Sequence, residues 1–390
     1  MAPPHDENNG AGHADDIFGA IAYEAPEPQK KSFLPWHKPR KQYVRQYQWR
    51  TEIESLLEGM QPEGNVLRYL GLPGDDLLDL RYFHSKVCAP KQMGLRFLGF
   101  NTSANPESSA HAELNISLDE VKKLPGIDPL SDIIWDDFCL LADISSKAWH
   151  RAMDLGPYDV INFDLCDGFG KHKPGVVDET YYSALSRLMS LQARRKNPWL
   201  LLLTTRTRKC DVHADLMQRL LSKYTQNLID CPSFKTASAE ILAIQDETTL
   251  KTVAGTPEGH LAILLVGLCK WLLGIAISQQ PPTKVEVKSV IGYRVHAGAP
   301  HDDLMSIALR FEPTFTPADD PMGIANHPKE TQGECEQASD ALKQISQRSC
   351  ADQILSINTE LRGQLVDAMS ELLNLARYDI DAYHEWLKTI

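Results

Sequence analysis

Two carboxylates, Asp164 and Asp167, follow the apolar run Tyr158-Asp159-Val160-Ile161-Asn162-Phe163 and stand just before Gly168-Phe169-Gly170. Acids placed past the carboxyl end of a strand, beside a glycine turn, face the crevice where α/β proteins hold ligands, and there they accept protons or hydrogen bonds. The same residues also cap turns, and their spacing leaves both readings open. A second such place is residues 66–80, read as an apolar strand, the turn Gly71-Leu72-Pro73-Gly74 and a helix opening on Asp75-Asp76. Glycines admit close backbone approach and a helix N-terminus presents free N–H groups, the ingredients of a phosphate or nucleotide cradle. A further apolar strand ends on the polar edge Asn101-Thr102-Ser103, and another carries Arg206, Arg208 and Lys209 past its end, cations suited to an acidic substrate or to a solvated loop.

The elements that must position these groups alternate. Apolar strands are expected at 66–70, 94–101, 158–163 and 198–205, with helical patterns at 75–88, 117–123, 145–154 and 178–195 between them. Residues 133–142 suit a short strand or a helix, and their acids Asp132, Asp136, Asp137 and Asp143 read as a solvated face rather than a metal site. Regular strand and helix alternation predicts an α/β fold with a mostly parallel sheet covered on both faces. Helices are expected at 211–230, 233–245 and 259–277, and the β-alternating stretches 284–294 and 304–311 predict an antiparallel hairpin completing the sheet. The triplet Glu286-Val287-Lys288 has the look of a nuclease motif but lacks an acidic partner on an adjoining hairpin.

Residues 1–29 carry six acids and no Lys or Arg, the composition of a disordered tail. Residues 30–50 then hold seven cations and no acid, interleaved with Trp36, Tyr43, Tyr47 and Trp49. Cations neutralise phosphates and rings stack on bases, so Lys38, Arg40, Lys41 and Arg45 are candidates for contact with nucleic acid or another partner. Alternatively, the rings pack into the body and the cations hold the acidic tail or a sheet edge. Residues 317–335 read as a linker and 336–390 as two or three helices, a docking surface for a protein partner.

The net charge of −12 excludes a protein that coats nucleic acid with its whole surface. The eight cysteines form no C-x-x-C pair or zinc-spaced cluster, which predicts free thiols in a reducing cytoplasm. The N-terminus has no signal-peptide pattern. The apolar run 261–277 carries Lys270 at its middle, and a central lysine costs about 2.5–3.5 kcal/mol in a bilayer, so a buried helix is expected rather than a membrane span.

The order of elements over residues 60–315 resembles the Rossmann-type S-adenosylmethionine-dependent methyltransferases: a glycine turn after the first strand, a polar residue ending the second, acids ending the fourth, and a late antiparallel hairpin. The resemblance implies S-adenosylmethionine as cofactor, with Gly71, Leu72 and Gly74 at its methionine end, Asn101 at its ribose and the Asp164 to Asp167 loop at its adenine or reacting methyl. Asp164 and Asp167 are the implied catalytic bases. Pro73 stands where the family usually has glycine, and Asn101 where it commonly has an acid. An N-P-P-Y tetrad, a Pro-Cys nucleophile, a Walker loop and a G-x-G-x-x-G fingerprint are absent. Two functions follow as expectations: methyl transfer to a substrate the sequence does not identify, or a catalytically inactive methyltransferase-like scaffold that binds partners through residues 30–50 and 336–390.

Overall fold

The apolar runs form one sheet in this computed structural model, which describes residues 31–175, 180–296, 302–314 and 333–389. The strands are β1 (Val66–Gly71), β2 (Gly94–Phe100), β3 (Asp132–Ile134), β4 (Val160–Asp164), β5 (Trp199–Arg206), β6 (Thr283–Tyr293), β7 (Leu304–Pro313) and β8 (Ser349–Cys350), in the order β3-β2-β1-β4-β5-β7-β6-β8. The first five pair in parallel, β7 runs antiparallel between β5 and β6, and β8 pairs in parallel with β6. The fold is therefore α/β, a Rossmann-like, mostly parallel sheet with a late antiparallel hairpin, an N-terminal basic helix and a helical C-terminal part.

A strand covered on both faces reads as a continuous apolar run, and β5 does so from Trp199 through Leu203, with Thr204 and Thr205 buried after it. Its pleat sends Leu201 and Leu203 into one core and Leu200 and Leu202 into the other. The first core receives the crossover helices Lys147–Leu155 and Tyr181–Gln192, then Ala214–Asp230, Pro257–Ile277 and Glu334–Ser346. Helix Leu78–Phe83, with the π-turn that extends it, and helix His111–Lys122 pack in the second. Every crossover helix after β3 lies in the first core, so the two ends of the chain complete the second. Val44, Trp49, Ile53 and Leu56 come from a helical segment running through Pro39–Val44, a π-turn at Arg45–Arg50 and Thr51–Gly59, while Met369, Leu372 and Leu373 come from Thr359–Leu375.

The two ends also pack on each other. The ring of Phe33 sits 5.4 to 5.6 Å from those of Trp386, Tyr383 and Tyr378, and the Tyr383 hydroxyl donates to the His37 carbonyl at 2.7 Å. Phe33–Ile390 accordingly forms a single compact unit. Of the rings in the basic segment, Trp49 is core and Tyr43 half-buried, while Trp36 and Tyr47 are exposed. The acidic tail expected over 1–29 and most of the linker expected over 317–335 lie outside the described residues.

Several boundaries differ from expectation for local reasons. The helix expected at 117–123 begins at His111, because Leu114 and Val121, two turns apart, share its buried face with Ser117. A further helix forms at Glu247–Ala254, between the helices expected at 233–245 and 259–277, with Asp246 and Thr249 as a capping box at its start. The C-terminal part holds four helices, since the Cys350, Asn358 and Asp379 side chains each cap a new one. Residues 133–142 supply both β3 and a 3₁₀ turn at Phe138–Ala142. Glu286 and Lys288 pair with each other at 3.0 Å beside a bulge in β6.

Helix Pro257–Ile277 is long and apolar enough to cross a membrane, and 67% of its apolar window is buried within the fold. The expectation that all thiols are free is corrected at one pair, Cys231 and Cys335, which form a disulfide. Helices Pro232–Leu242 and Glu334–Ser346 bring the two Cα atoms to 5.3 Å, within bridging range, across a separation of 104 residues that no sequence motif marks.

Trp49 is fully buried and its indole N–H donates to the Ser306 hydroxyl at 3.2 Å on β7. Trp49→Ala should therefore cost about 3–5 kcal/mol, as expected for a large core residue. Urea unfolding checks this, and a loss below 1 kcal/mol would place the segment outside the core.

Candidate functional site

Strand order reverses between β1 and β4, and a cavity of about 520 Å³ opens at the carboxyl ends of the strands there. This is where open α/β sheets bind ligands, and the volume lies within the range of small-molecule sites. The loop after β1, the end of β2, the segment after β3, the Asp164 to Asp167 loop and the N-terminal segment all contribute walls.

The turn after β1 takes the expected strand, turn and helix form, with the helix opening at Leu78 rather than Asp75. Leu72 and Gly74 line the cavity. A Cβ at Gly74 would meet nothing within 4 Å, so any larger side chain there projects into open space. Gly71 is corrected: it is the buried last residue of β1, and a Cβ on it would lie 2.6 Å from the Tyr69 ring, so its role is packing rather than lining. Leu77 closes the loop in the left-handed region at φ 51°, a strain of about 1–2 kcal/mol held by its complete burial.

Asn101 lies at the cavity but its amide is already engaged. Its N–H₂ donates to the Pro73 carbonyl at 2.9 Å and to Asp75 at 3.0 Å, and its oxygen accepts from the Ser103 N–H at 2.7 Å. The residue expected to hold a ribose instead fastens the β1 turn to the end of β2.

Asp164 and Asp167 both line the cavity, and each faces a lysine. The Lys41 ammonium lies 2.5 Å from Asp164, 3.5 Å from the Tyr293 hydroxyl and 4.2 Å above the Trp49 ring. Asp167 pairs with Lys171 and accepts the Gly168 N–H at 2.8 Å. Burial acts upward on the Asp167 carboxyl, but the Lys171 hydrogen bond and the Gly168 N–H outweigh it and hold the group below the usual carboxylate range. A carboxylate so held is a poor proton acceptor.

The four cations expected as partner contacts are used internally. Lys41 and Arg45, both almost fully buried, line the cavity; Arg45 reaches Asp79 at 2.7 Å. Arg40 pairs with Asp352 at 3.1 Å, and Lys38 lies 5.9 Å over the Trp386 ring. Burial, followed by Arg40, pushes the Lys38 ammonium below its ordinary range. Of the cations after β5, Arg206 alone lines the cavity, donating to the Cys166 carbonyl at 2.5 Å and facing His296, which is held by the buried Asp303. Arg208 pairs with Asp211 at 2.8 Å, and Lys209 donates to the Gly255 carbonyl at 3.1 Å.

Asp136 is one of the four acids expected on a solvated face. It lines the cavity after β3, and its Oδ2 is buried with no hydrogen-bond partner among the described residues. Burial pushes its carboxyl above the usual range, with Lys147 and the Ala148 N–H opposing. Its position directly after an apolar strand was the available signal, the same one that drew attention to Asp164. Among the described residues a possible metal cluster, Asp302, Cys350 and Asp352, has no member lining this cavity and is engaged by Arg40 through Asp352.

A carboxyl whose folded pKa exceeds its unfolded value, about 3.9 for Asp, favours the fold in its protonated form, and that contribution is lost as pH rises through the folded pKa. Asp136→Asn removes the charged form's penalty. The variant should melt higher than wild type at pH 7, with the gain vanishing below about pH 4. Thermal melts across that range check it, and a variant less stable at pH 7 would contradict the assignment.

No curated protein matches this chain. A family model described as PP_RS20740-like matches residues 30–388, which takes in the N-terminal segment that walls the cavity and the C-terminal helices packed against it, and the protein belongs to that family.

Proposed function

We propose that the cavity binds S-adenosylmethionine and that the protein is a methyltransferase-like enzyme acting on a substrate admitted past the N-terminal segment. The observation that carries the reading is the cavity's place at the reversal of strand order, walled by the turn after β1 and the ends of β2 and β4. The lining suits the group in charge and shape. Carboxylates from Asp75, Asp76, Asp136 and Asp167 complement a sulfonium and an ammonium, Arg206 complements a carboxylate, and Leu72, Phe100 and Phe138 offer an apolar wall for a base. When bound, the cofactor supplies an electrophilic methyl group.

The chain's own contribution is position. Leu72 and Gly74 would border the methionine end, and Asn101 would act by holding the Pro73 to Asp75 turn in place. Lys41 holds Asp164 oriented at the end of β4. Alignment supplies most of the barrier reduction in an in-line displacement, and a base is needed only for a protonated nucleophile. Asp136, whose carboxyl burial pushes upward and whose Oδ2 is unpartnered, fits that role better than Asp164 or Asp167.

The ion pairing of Asp164 and Asp167 favours a second reading, a scaffold that binds the cofactor without turnover. Calorimetry with S-adenosylmethionine should give a heat of binding for wild type, and Gly74→Trp should abolish it by filling the open space beside the turn. Asp136→Asn should retain binding while slowing methyl transfer about 10²-fold or more, the usual loss with a general base. No heat at millimolar cofactor, or equal binding by Gly74→Trp, overturns the cofactor assignment. Binding without methyl transfer to any nucleophile selects the scaffold.

A further inference from the structure

A second cavity, of about 620 Å³, lies between helices Ala214–Asp230 and Pro257–Ile277. Two stripes of the first helix form one wall. Leu216, Leu220 and Tyr224, four residues apart, are apolar, and beside them Arg219, Lys223 and Asn227 recur at the same spacing. The facing wall presents Gly267, Trp271, Gly274 and Ile275. Gly267 lets Leu220 approach, whereas a Cβ at Gly274 would meet nothing within 4 Å, so the groove is open at that point.

Three polar features ask for a ligand. Asn227 is only 8% exposed, lines the groove and has no side-chain hydrogen-bond partner among the described residues. Arg219 and Lys223 are exposed and have no carboxylate partner among the described residues. Lys270 is neutralised by Glu334 at 2.6 Å, which leaves the lining with an excess of positive charge on a chain of net charge −12.

We propose that this groove binds an amphiphilic organic anion, a hydrocarbon body with one anionic end, of which a medium-chain fatty carboxylate is the simplest example. The apolar floor takes the hydrocarbon, Arg219 and Lys223 neutralise the anionic end, and the Asn227 amide supplies a hydrogen bond that no described residue supplies to it. The volume fits a small molecule, and charge complementarity selects an anion over a cation or a neutral chain. The site is independent of the cofactor assignment.

The test uses the intact protein with the fluorescent anion 1-anilinonaphthalene-8-sulfonate as reporter, titrated with monomeric decanoate or decyltrimethylammonium. Decanoate should displace the reporter and decyltrimethylammonium should not. Gly274→Leu, compatible with the helix and projecting into the groove, should weaken decanoate at least tenfold while leaving the melting temperature at or above wild type. The pair Arg219→Glu and Lys223→Glu should reverse the preference between the two amphiphiles. Equal displacement by anion and cation, no displacement by decanoate, or an unaltered affinity in Gly274→Leu would overturn the proposal. Binding to phosphatidylcholine vesicles, abolished by Gly274→Leu and without response to monomeric decanoate, would overturn it in favour of a membrane contact.

Discussion

Lys41 and Arg45, one helical turn apart on the N-terminal segment, are buried against Asp164 and Asp79. Two buried cations tolerate almost no displacement, because breaking either pair leaves an uncompensated charge at a cost of about 3–5 kcal/mol. Their partners stand on different elements, the end of β4 and the helix after β1, so the pairs fix the segment at the carboxyl edge of the sheet in one register. Trp49 beneath Lys41, and Gln48 donating to the Ser289 and Ser306 carbonyls, carry that register across to β6 and β7. The cavity exists between this segment and the strand ends.

The need for such a strap follows from the topology. A parallel sheet must be covered on both faces, and here the crossovers after β3 all serve one of them. The residues that complete the other core come from the two ends of the chain, which lock together through the Phe33, Tyr378, Tyr383 and Trp386 rings. The segments that looked like appendages for partners are therefore what makes the second core whole. The same economy governs the site: most charged groups around the cavity are committed to holding it in shape. Asp136, placed after a short strand that forms the sheet edge, keeps one carboxyl oxygen, Oδ2, out of that commitment.

The second groove arises from the other core. Helix Pro257–Ile277 is apolar on nearly every side, yet its Gly267 and Gly274 faces meet a helix whose opposing residues are partly cationic. A helix apolar all round is normally enclosed. Here enclosure is incomplete at one strip, and Asn227 of the facing helix lines the groove left there.

Residues close in sequence determined a good deal. The apolar runs of β1, β2, β4 and β5, the hairpin of β6 and β7, and the placing of Gly74, Asn101, Asp164 and Asp167 at strand ends were all legible, because strand periodicity and turn chemistry act over a few residues. What the sequence left open depends on which distant groups meet. A lysine reads alike whether it faces solvent or a carboxylate 123 positions away, as Lys41 does with Asp164. An asparagine at a strand end looks free until the Pro73 carbonyl is found beside it, and Cys231 and Cys335 look unrelated until two helix starts adjoin. Burial and pairing are properties of the assembled fold, and only tertiary structure decided that Lys41, Arg45 and Trp49 of the basic segment are core, that Asn101 and Asp167 are spoken for, and that Asp136 Oδ2 is not.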